Sequence, residues 1–133
     1  MNKQVAKRPG APSAKEALVH EMLARIADKW TLLVIEVLSN DGELRFTRLR
    51  ERVGAVSQKM LTKTLRQLER DGLVSRRVHA VVPPRVDYEL TALGESLGES
   101  VCGIWRWAEA HLKDVDRSRR VYDRRHGAGG RDA

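Results

Sequence analysis

The chain is poor in the features that usually mark a secreted, membrane-bound or catalytic protein. Among its 133 residues there is one cysteine, Cys102. No intrachain disulfide can form, and a reducing compartment is the simplest fit. No apolar run approaches the roughly 18 to 20 residues needed to span a bilayer. The opening MNKQVAKRPGAPSAK has no apolar core of signal-peptide length. A soluble, cytoplasmic protein with no membrane partner is expected. The four histidines, His20, His79, His111 and His126, are too scattered for a metal motif. A phosphate-binding glycine loop and a nucleophile elbow are both missing. Asp87 and Glu89 flank Tyr88 on alternate residues and read as solvated carboxylates. No metal, no other cofactor and no enzymatic activity are expected, and there is no internal repeat.

What the chain does have is an uneven charge. The net charge is +7 and the pI about 10.1. Residues 45 to 85 carry eleven Lys or Arg against three acids, whereas residues 14 to 44 sum to −3 and residues 86 to 112 to −4. The positive field is therefore concentrated in one central segment, which suits a polyanionic partner better than a random spread would. Within it, residues 52 to 68 contain no acid at all. An ordinary solvated face mixes signs.

Apolar periodicity divides the chain. Residues 1–13 read as a flexible N-terminal segment, residues 14–112 as the folded domain and residues 113–133 as a flexible basic tail, disordered or ordered only on binding. Ser13 is a plausible cap for a first helix striped by Leu18, Met22, Leu23 and Ile26. Asp28 caps a second, from Lys29 to Ser39, that is apolar almost all round and so buried on several sides. After the turn SNDGE come a very short strand, Leu44 to Phe46, and a short helix, Thr47 to Val53. A tight turn leads to Ser57, which caps a helix ending near Asp71, with Gly72 placed to close it in a left-handed conformation. Strands of about Leu73 to Val81 and Arg85 to Leu90 make a hairpin interrupted by Val82, Pro83 and Pro84. Thr91 caps a final helix to about Leu112, striped by Leu93, Leu97, Val101, Trp105 and Ala108.

The run VSQKMLTKTLRQLERDGLV holds the chemistry. Leu61, Leu65 and Leu68 line one face of its helix, and Gln58, Lys59, Thr62, Lys63 and Arg66 lie opposite. Two helices joined by a tight turn and followed by a basic hairpin make a winged helix-turn-helix, whose second helix enters the major groove of duplex DNA. Gln and Lys can hydrogen-bond to base edges, Arg to a base or a phosphate, and the Thr62 methyl can pack against thymine. The Ser57 hydroxyl and the first helical N–H groups suit a phosphate oxygen. Arg45, Arg48, Arg50 and Arg52 precede the helix and can reach the flanking backbone; about half should point elsewhere, Arg48 and Arg52 sharing a face, and Arg45 and Arg48 are the candidates. Arg85 is the leading wing contact. Arg76 and Arg77 face opposite sides of a strand, so at most one meets DNA, and Arg76 is taken as the candidate.

Three stretches in this order, DKWTLLV, RFTRLRERV…VSQKMLTKTLRQLERDGLV and VPPRVDYELTALG, resemble the HxlR family of bacterial transcriptional regulators, relatives of the MarR group. The likeness covers about residues 17 to 111. It implies a mainly helical α+β fold: a winged helix-turn-helix with a two-stranded wing and long terminal dimerisation helices. It further implies a homodimer on a palindromic operator, with Leu18, Met22, Leu93, Leu97, Val101 and Trp105 at the dimer interface. A homodimeric repressor is the expected function. Redox-sensing members carry a cysteine just ahead of the first helix's apolar stripe. Here that region reads SAKEALVHEML, without one. Cys102 is a possible redox thiol, with Arg106 the nearest base in sequence, and an unknown small-molecule effector could lie between the Trp105/Trp107 helix and the core. Aromatics in such a place are more often core. The alternatives are a ligand- or redox-switched sensor and a winged-helix module for protein–protein contact.

Overall fold

The computed structural model describes residues 13–127. The expectations for residues 1–12 and 128–133 lie outside the described residues. Among the described residues six helices and three strands follow one another: α1 (Ala14–Ile26), α2 (Lys29–Asp41), β1 (Leu44–Arg45), α3 (Phe46–Val53), α4 (Gln58–Arg70), β2 (Val74–His79), β3 (Arg85–Leu90), α5 (Ala92–Ala110) and α6 (Leu112–Arg125). The strands form one antiparallel sheet in the order β1-β3-β2. This is a winged helix-turn-helix whose wing is the β2–β3 hairpin, with β1 added as a short third strand.

Local chemistry explains the boundaries. Ser13 and Glu16 form a reciprocal capping box at the start of α1. The Asp28 carboxylate accepts from the backbone N–H groups of Trp30 and Thr31 at the start of α2. Asp71 closes α4, and Gly72 follows at φ +78°. Its N–H donates to the Glu69 carbonyl at 3.0 Å, and the Leu73 N–H donates to the Leu68 carbonyl at 2.9 Å. These two bonds satisfy the last helical carbonyls and turn the chain straight into β2. The Thr91 hydroxyl accepts from Gly94 N–H, capping α5, and donates to the Gly72 carbonyl at 2.6 Å. The wing's exit is thereby tied back to its entrance.

The core sits around α2. Val34, Ile35, Val37 and Leu38 are buried there, with Leu49 and Val53 of α3, Leu61, Leu65 and Leu68 of α4, Val74 and Leu90 of the sheet and Val101 of α5. As expected from its apolar circumference, α2 contacts α1, α3, α4, β3 and α5. By contrast α1 buries no residue. Its firmest tie is Arg25, whose Nη1 lies 2.8 Å from Asp71 Oδ2 at the end of α4.

Four sequence expectations need correction. The final helix stops at Ala110 rather than near Leu112, because His111 adopts φ −113°, ψ 13°, outside the helical continuation. The basic stretch after it is helical over α6, where i to i+3 and i to i+4 ion pairs such as Arg117–Asp114 and Arg120–Asp116 support a polar helix. Trp105 and Trp107 are not core: both are more than half exposed, and Trp107 stacks on His111. Val101 is buried against the core of its own chain. Asp87 is buried rather than solvated.

Gly94 is where α5 comes closest to the wing's root. A Cβ there would collide with the Leu73 carbonyl, whereas one at Gly103 meets nothing nearer than 4.0 Å. Gly94→Ala is expected to destabilise the protein by about 1–3 kcal/mol. Gly103→Ala should be neutral or stabilising by up to about 1 kcal/mol, since it adds helix propensity. Urea unfolding of the two variants against the parent chain checks both.

Candidate nucleic-acid interface

The face of α4 opposite the core is open. Gln58, Lys59, Lys63 and Arg66 are exposed and Thr62 is half-buried, while Leu61, Leu65 and Leu68 are at most 1% exposed. The separation follows from helical geometry: burying the leucine row against α2 fixes the rotation of α4 and leaves the cationic row outside. Ser57 caps the helix, its Oγ accepting from Met60 N–H at 3.0 Å. The hydroxyl's acceptor capacity is thus partly engaged, and its O–H remains free to donate to a phosphate oxygen. Lys63 also borders a groove between α1 and α4 that includes Met60, Glu21 and Asp28. Sequence periodicity had passed over Met60, which is 39% exposed on this helix.

Intramolecular pairing sorts the arginines before any partner arrives. Arg52 is held by Asp41, with Nε donating to Oδ2 at 2.6 Å and Nη2 to Oδ1 at 3.3 Å. Arg50 Nε donates to the Val56 carbonyl at 3.1 Å and so braces the turn between α3 and α4. Those two are structural. Arg48 has only a more exposed pair with Glu51, at 3.2 Å. Arg45 is exposed at the end of β1, its Cα paired in register with Asp87. Arg85 starts β3, with Nε 3.4 Å from Asp87 Oδ1.

Arg45, Arg48 and Arg85 line one open groove together with Leu44, Thr47 and three acids, Glu43, Glu51 and Asp87. Three cations expected at the flank and wing therefore share a surface. Thr47 belongs to it too, and its position at a helix start was the only sequence signal for that. Arg76 is the exception. It occupies the side of the sheet that faces α4, where Nε lies 3.6 Å from Glu69 Oε1. Arg77, on the other face, pairs with Glu43 at 3.3 Å and with Glu89 at 3.6 Å.

Among the other groups singled out from sequence, Cys102 is a free, half-buried thiol on α5. Leu18, Met22, Leu93 and Trp105 are each at least half exposed, and Leu97 is partly buried against the core. A cavity of about 400 Å³ lies between α1 and α5, lined mainly by Leu18, Met22, Leu68, Leu73, Leu93 and Leu97.

Residues 25–116 match the family model described as HxlR-like helix-turn-helix. The chain belongs to this family. It is 39% identical over 102 residues to the HTH-type transcriptional regulator YtfH of Escherichia coli K12, an alignment covering 77% of this chain and 80% of that protein. The solved structure of the transcriptional regulator ytfH from Salmonella typhimurium has a TM-score of 0.71 at 39% identity, covering 77% of this chain and 90% of the other. The reduced form of the redox regulator HypR has a TM-score of 0.69 at 35% identity, covering 75% and 98%. An HxlR-like protein is a transcriptional regulator with a helix-turn-helix DNA-binding domain and not an enzyme, in keeping with the open cationic face of α4. No helix among the described residues is long and apolar enough to cross a membrane.

The Arg52–Asp41 pair has a pH signature. Arg52's hydrogen bond and charge hold the Asp41 carboxyl below the ordinary carboxylate range. A carboxyl whose pKa is lower in the folded than in the unfolded chain contributes stability above the unfolded value, about 3.9, and loses it as pH falls through the folded value. Asp41→Asn should therefore lower stability at neutral pH. Its difference from the parent chain, measured by urea unfolding, should shrink as pH falls below about 4.

Proposed function

We propose that this HxlR-like regulator is a homodimeric repressor that reads a palindromic operator through α4. Gln58, Lys59, Thr62, Lys63 and Arg66 meet base edges and adjoining phosphates in the major groove, and Ser57 meets a phosphate at the helix start. Arg45, Arg48 and Arg85 hold the backbone or minor groove beside it. Arg76 is a weaker contact, because Glu69 engages it on the α4 side of the sheet. The observation that carries the reading is the acid-free outward helix face from Ser57 to Arg66; a groove elsewhere in the domain, where Arg45, Arg48 and Arg85 stand among Glu43, Glu51 and Asp87, supports it.

The dimer part has separate support. Leu18 and Met22 on α1, and Leu93 and Trp105 on α5, stay at least half exposed in one chain. Apolar side chains repeated along two helices favour a second copy over water. Each protomer then presents its α4 to one half-site, with half-sites about one helical turn, or a multiple of it, apart. Occupying such a site blocks or remodels a promoter. The apolar cavity between α1 and α5 favours a second, compatible reading: a small apolar effector seated there would shift those helices and so the spacing of the two α4 helices. A Cys102 thiol switch has less behind it, although the redox regulator HypR is a structural relative. As a working setting, the cytoplasm suits both the single cysteine and the DNA partner.

Operator affinity for DNA upstream of the chain's own coding sequence, measured by gel shift with and without reductant, tests the reading. If the dimer neutralises about six to eight phosphates, log affinity should fall against log salt with a slope near −5 to −7. Lys63→Ala should weaken the preferred site by roughly 1 to 3 kcal/mol and relax its base preference, while Arg85→Ala weakens all duplexes more evenly. Salt-sensitive binding to proteins with no preference among duplexes would instead favour a protein-contact module.

A further inference from the structure

The outer face of the sheet gathers acids and a histidine that the DNA reading does not use, among arginines that it does. On it lie Glu43 and Arg45 at the first strand, Arg77 and His79 on β2, and Arg85, Asp87 and Glu89 on β3. Asp87 stands in register with both Arg45 and Arg77, and His79 with Arg85. Glu43, His79 and Asp87 each offer a ligand atom, and these three atoms lie within 4.8 Å of one another. His79 Nε2 is 2.9 Å from Asp87 Oδ2. Asp87 is buried, and its Oδ1 accepts no hydrogen bond from any described residue. Only the Arg85 guanidinium approaches that oxygen, at 3.4 Å. Arg77 Nη2 stands 3.3 Å from Glu43 Oε2. Both separations exceed the roughly 2.7–2.9 Å of a strong charge-assisted hydrogen bond. A buried carboxylate oxygen left so poorly satisfied is costly unless something else takes it.

We propose that Glu43, His79 and Asp87 bind one divalent first-row transition ion, and that its binding releases Arg85 from Asp87 towards nucleic acid. One imidazole nitrogen and two carboxylate oxygens, with no thiolate, suit Zn²⁺, Mn²⁺ or Fe²⁺ and not Cu⁺. Zinc bonds to such ligands at about 2.0–2.2 Å. Ligand atoms around a tetrahedral ion then stand roughly 3.4 Å apart, so the set must close slightly from its present span. The exposed Glu43 side chain provides that movement. Two positive charges on the ion balance the two carboxylates. Arg77 and Arg85 now supply that balance imperfectly, so ion and arginines compete for the same oxygens. Arg85 displaced from Asp87 keeps its charge and sits beside Arg45 and Arg48 in their shared groove. The coupling half of the proposal rests on the DNA-binding reading, and the ion-binding half does not. By linkage, operator DNA must raise ion affinity by the same factor as the ion raises operator affinity.

The test starts without DNA. Full-length chain is stripped with a chelator, dialysed and titrated with Co²⁺, followed by visible absorption, and with Zn²⁺, followed by calorimetry. One ion per chain is expected. His79→Gln should abolish binding, and Glu43→Gln should weaken it about tenfold or more. Both side chains lie outside the apolar core, and thermal melts by circular dichroism confirm that the variants fold. No saturable binding at micromolar ion overturns the site, as does stoichiometric binding that survives both substitutions. Operator affinity is then compared in Zn²⁺ and in chelator. A gain of about fivefold or more is expected. It should disappear in His79→Gln, and in Arg85→Ala, which still takes up the ion. Equal operator affinity in both conditions overturns the coupling. Failure to bind operator in either condition instead removes the DNA reading, and the coupling with it, while the ion titration decides the site by itself.

Discussion

The packing of one leucine row decides how this molecule presents itself. Leu61, Leu65 and Leu68 lose almost all contact with water against α2 and its neighbours. At about 25 cal/mol per Å² of apolar surface, burying three leucines is worth several kcal/mol relative to exposing them. No rotation of α4 about its axis can keep that gain and also hide Lys59 and Lys63. The outward cationic face is a consequence of the core, not a separate piece of design. The Schellman closure at Gly72 then launches β2 from the same helix, so the wing inherits its position from α4 as well.

The second organising element is the pairing of charges within the chain. A count of arginines overstates the surface available to a polyanion, because Arg25, Arg50 and Arg52 are committed to holding helices and turns in place. Each braces α4 or the helices around it: Arg25 ties α1 to the end of α4, Arg50 supports the turn into α4, and Arg52 joins α3 to the end of α2. Arg45, Arg48 and Arg85 remain on an open groove with looser partners. Exposed ion pairs contribute little to stability, so exchanging Glu51 for a phosphate would cost Arg48 little, whereas Arg85 leaves a buried carboxylate behind when it leaves Asp87.

Much of this was legible in the sequence, for definable reasons. Strong periodicity and end signals placed α1 to α4: Ser13, Asp28 and Ser57 cap helices and Gly72 takes a left-handed turn, as their chemistry demands. The three-strand registry was only half visible, since β1 has two residues and owes its existence to pairing with β3. Helix α6 was missed because its composition is that of a solvated tail, and spacing of Asp and Arg at i to i+3 and i to i+4 is a weak signal beside so many like charges. Asp87 was misjudged for another reason. Alternation places a carboxylate on a face of the sheet but does not say what covers that face, and here cross-strand neighbours close over it. The scattered histidines conceal proximity in the same way: Glu43 and His79 are 36 positions apart in the chain, yet the β1-β3-β2 order brings them to either side of β3, close to Asp87.

The sheet consequently has two unlike faces with different tasks. One carries Leu44, Tyr88, Leu90 and Val74 and contributes to the core, with Tyr88 set against Phe46 at a ring separation of 6.4 Å. The other carries alternating acids and bases around buried Asp87. A wing needs a fixed root and an adjustable tip, and this division supplies both. Apolar packing and the Thr91–Gly72 hydrogen bond anchor the root. Towards the tip, Val82 is almost fully exposed, and the orientation of Arg85 rests chiefly on its balance of attraction to Asp87. A change in charge beside Asp87 can therefore redirect Arg85 without disturbing the leucine row that sets α4. On the proposed reading, contact with the backbone is tunable separately from the reading of bases, because Arg85 lies on the face of the sheet away from α4.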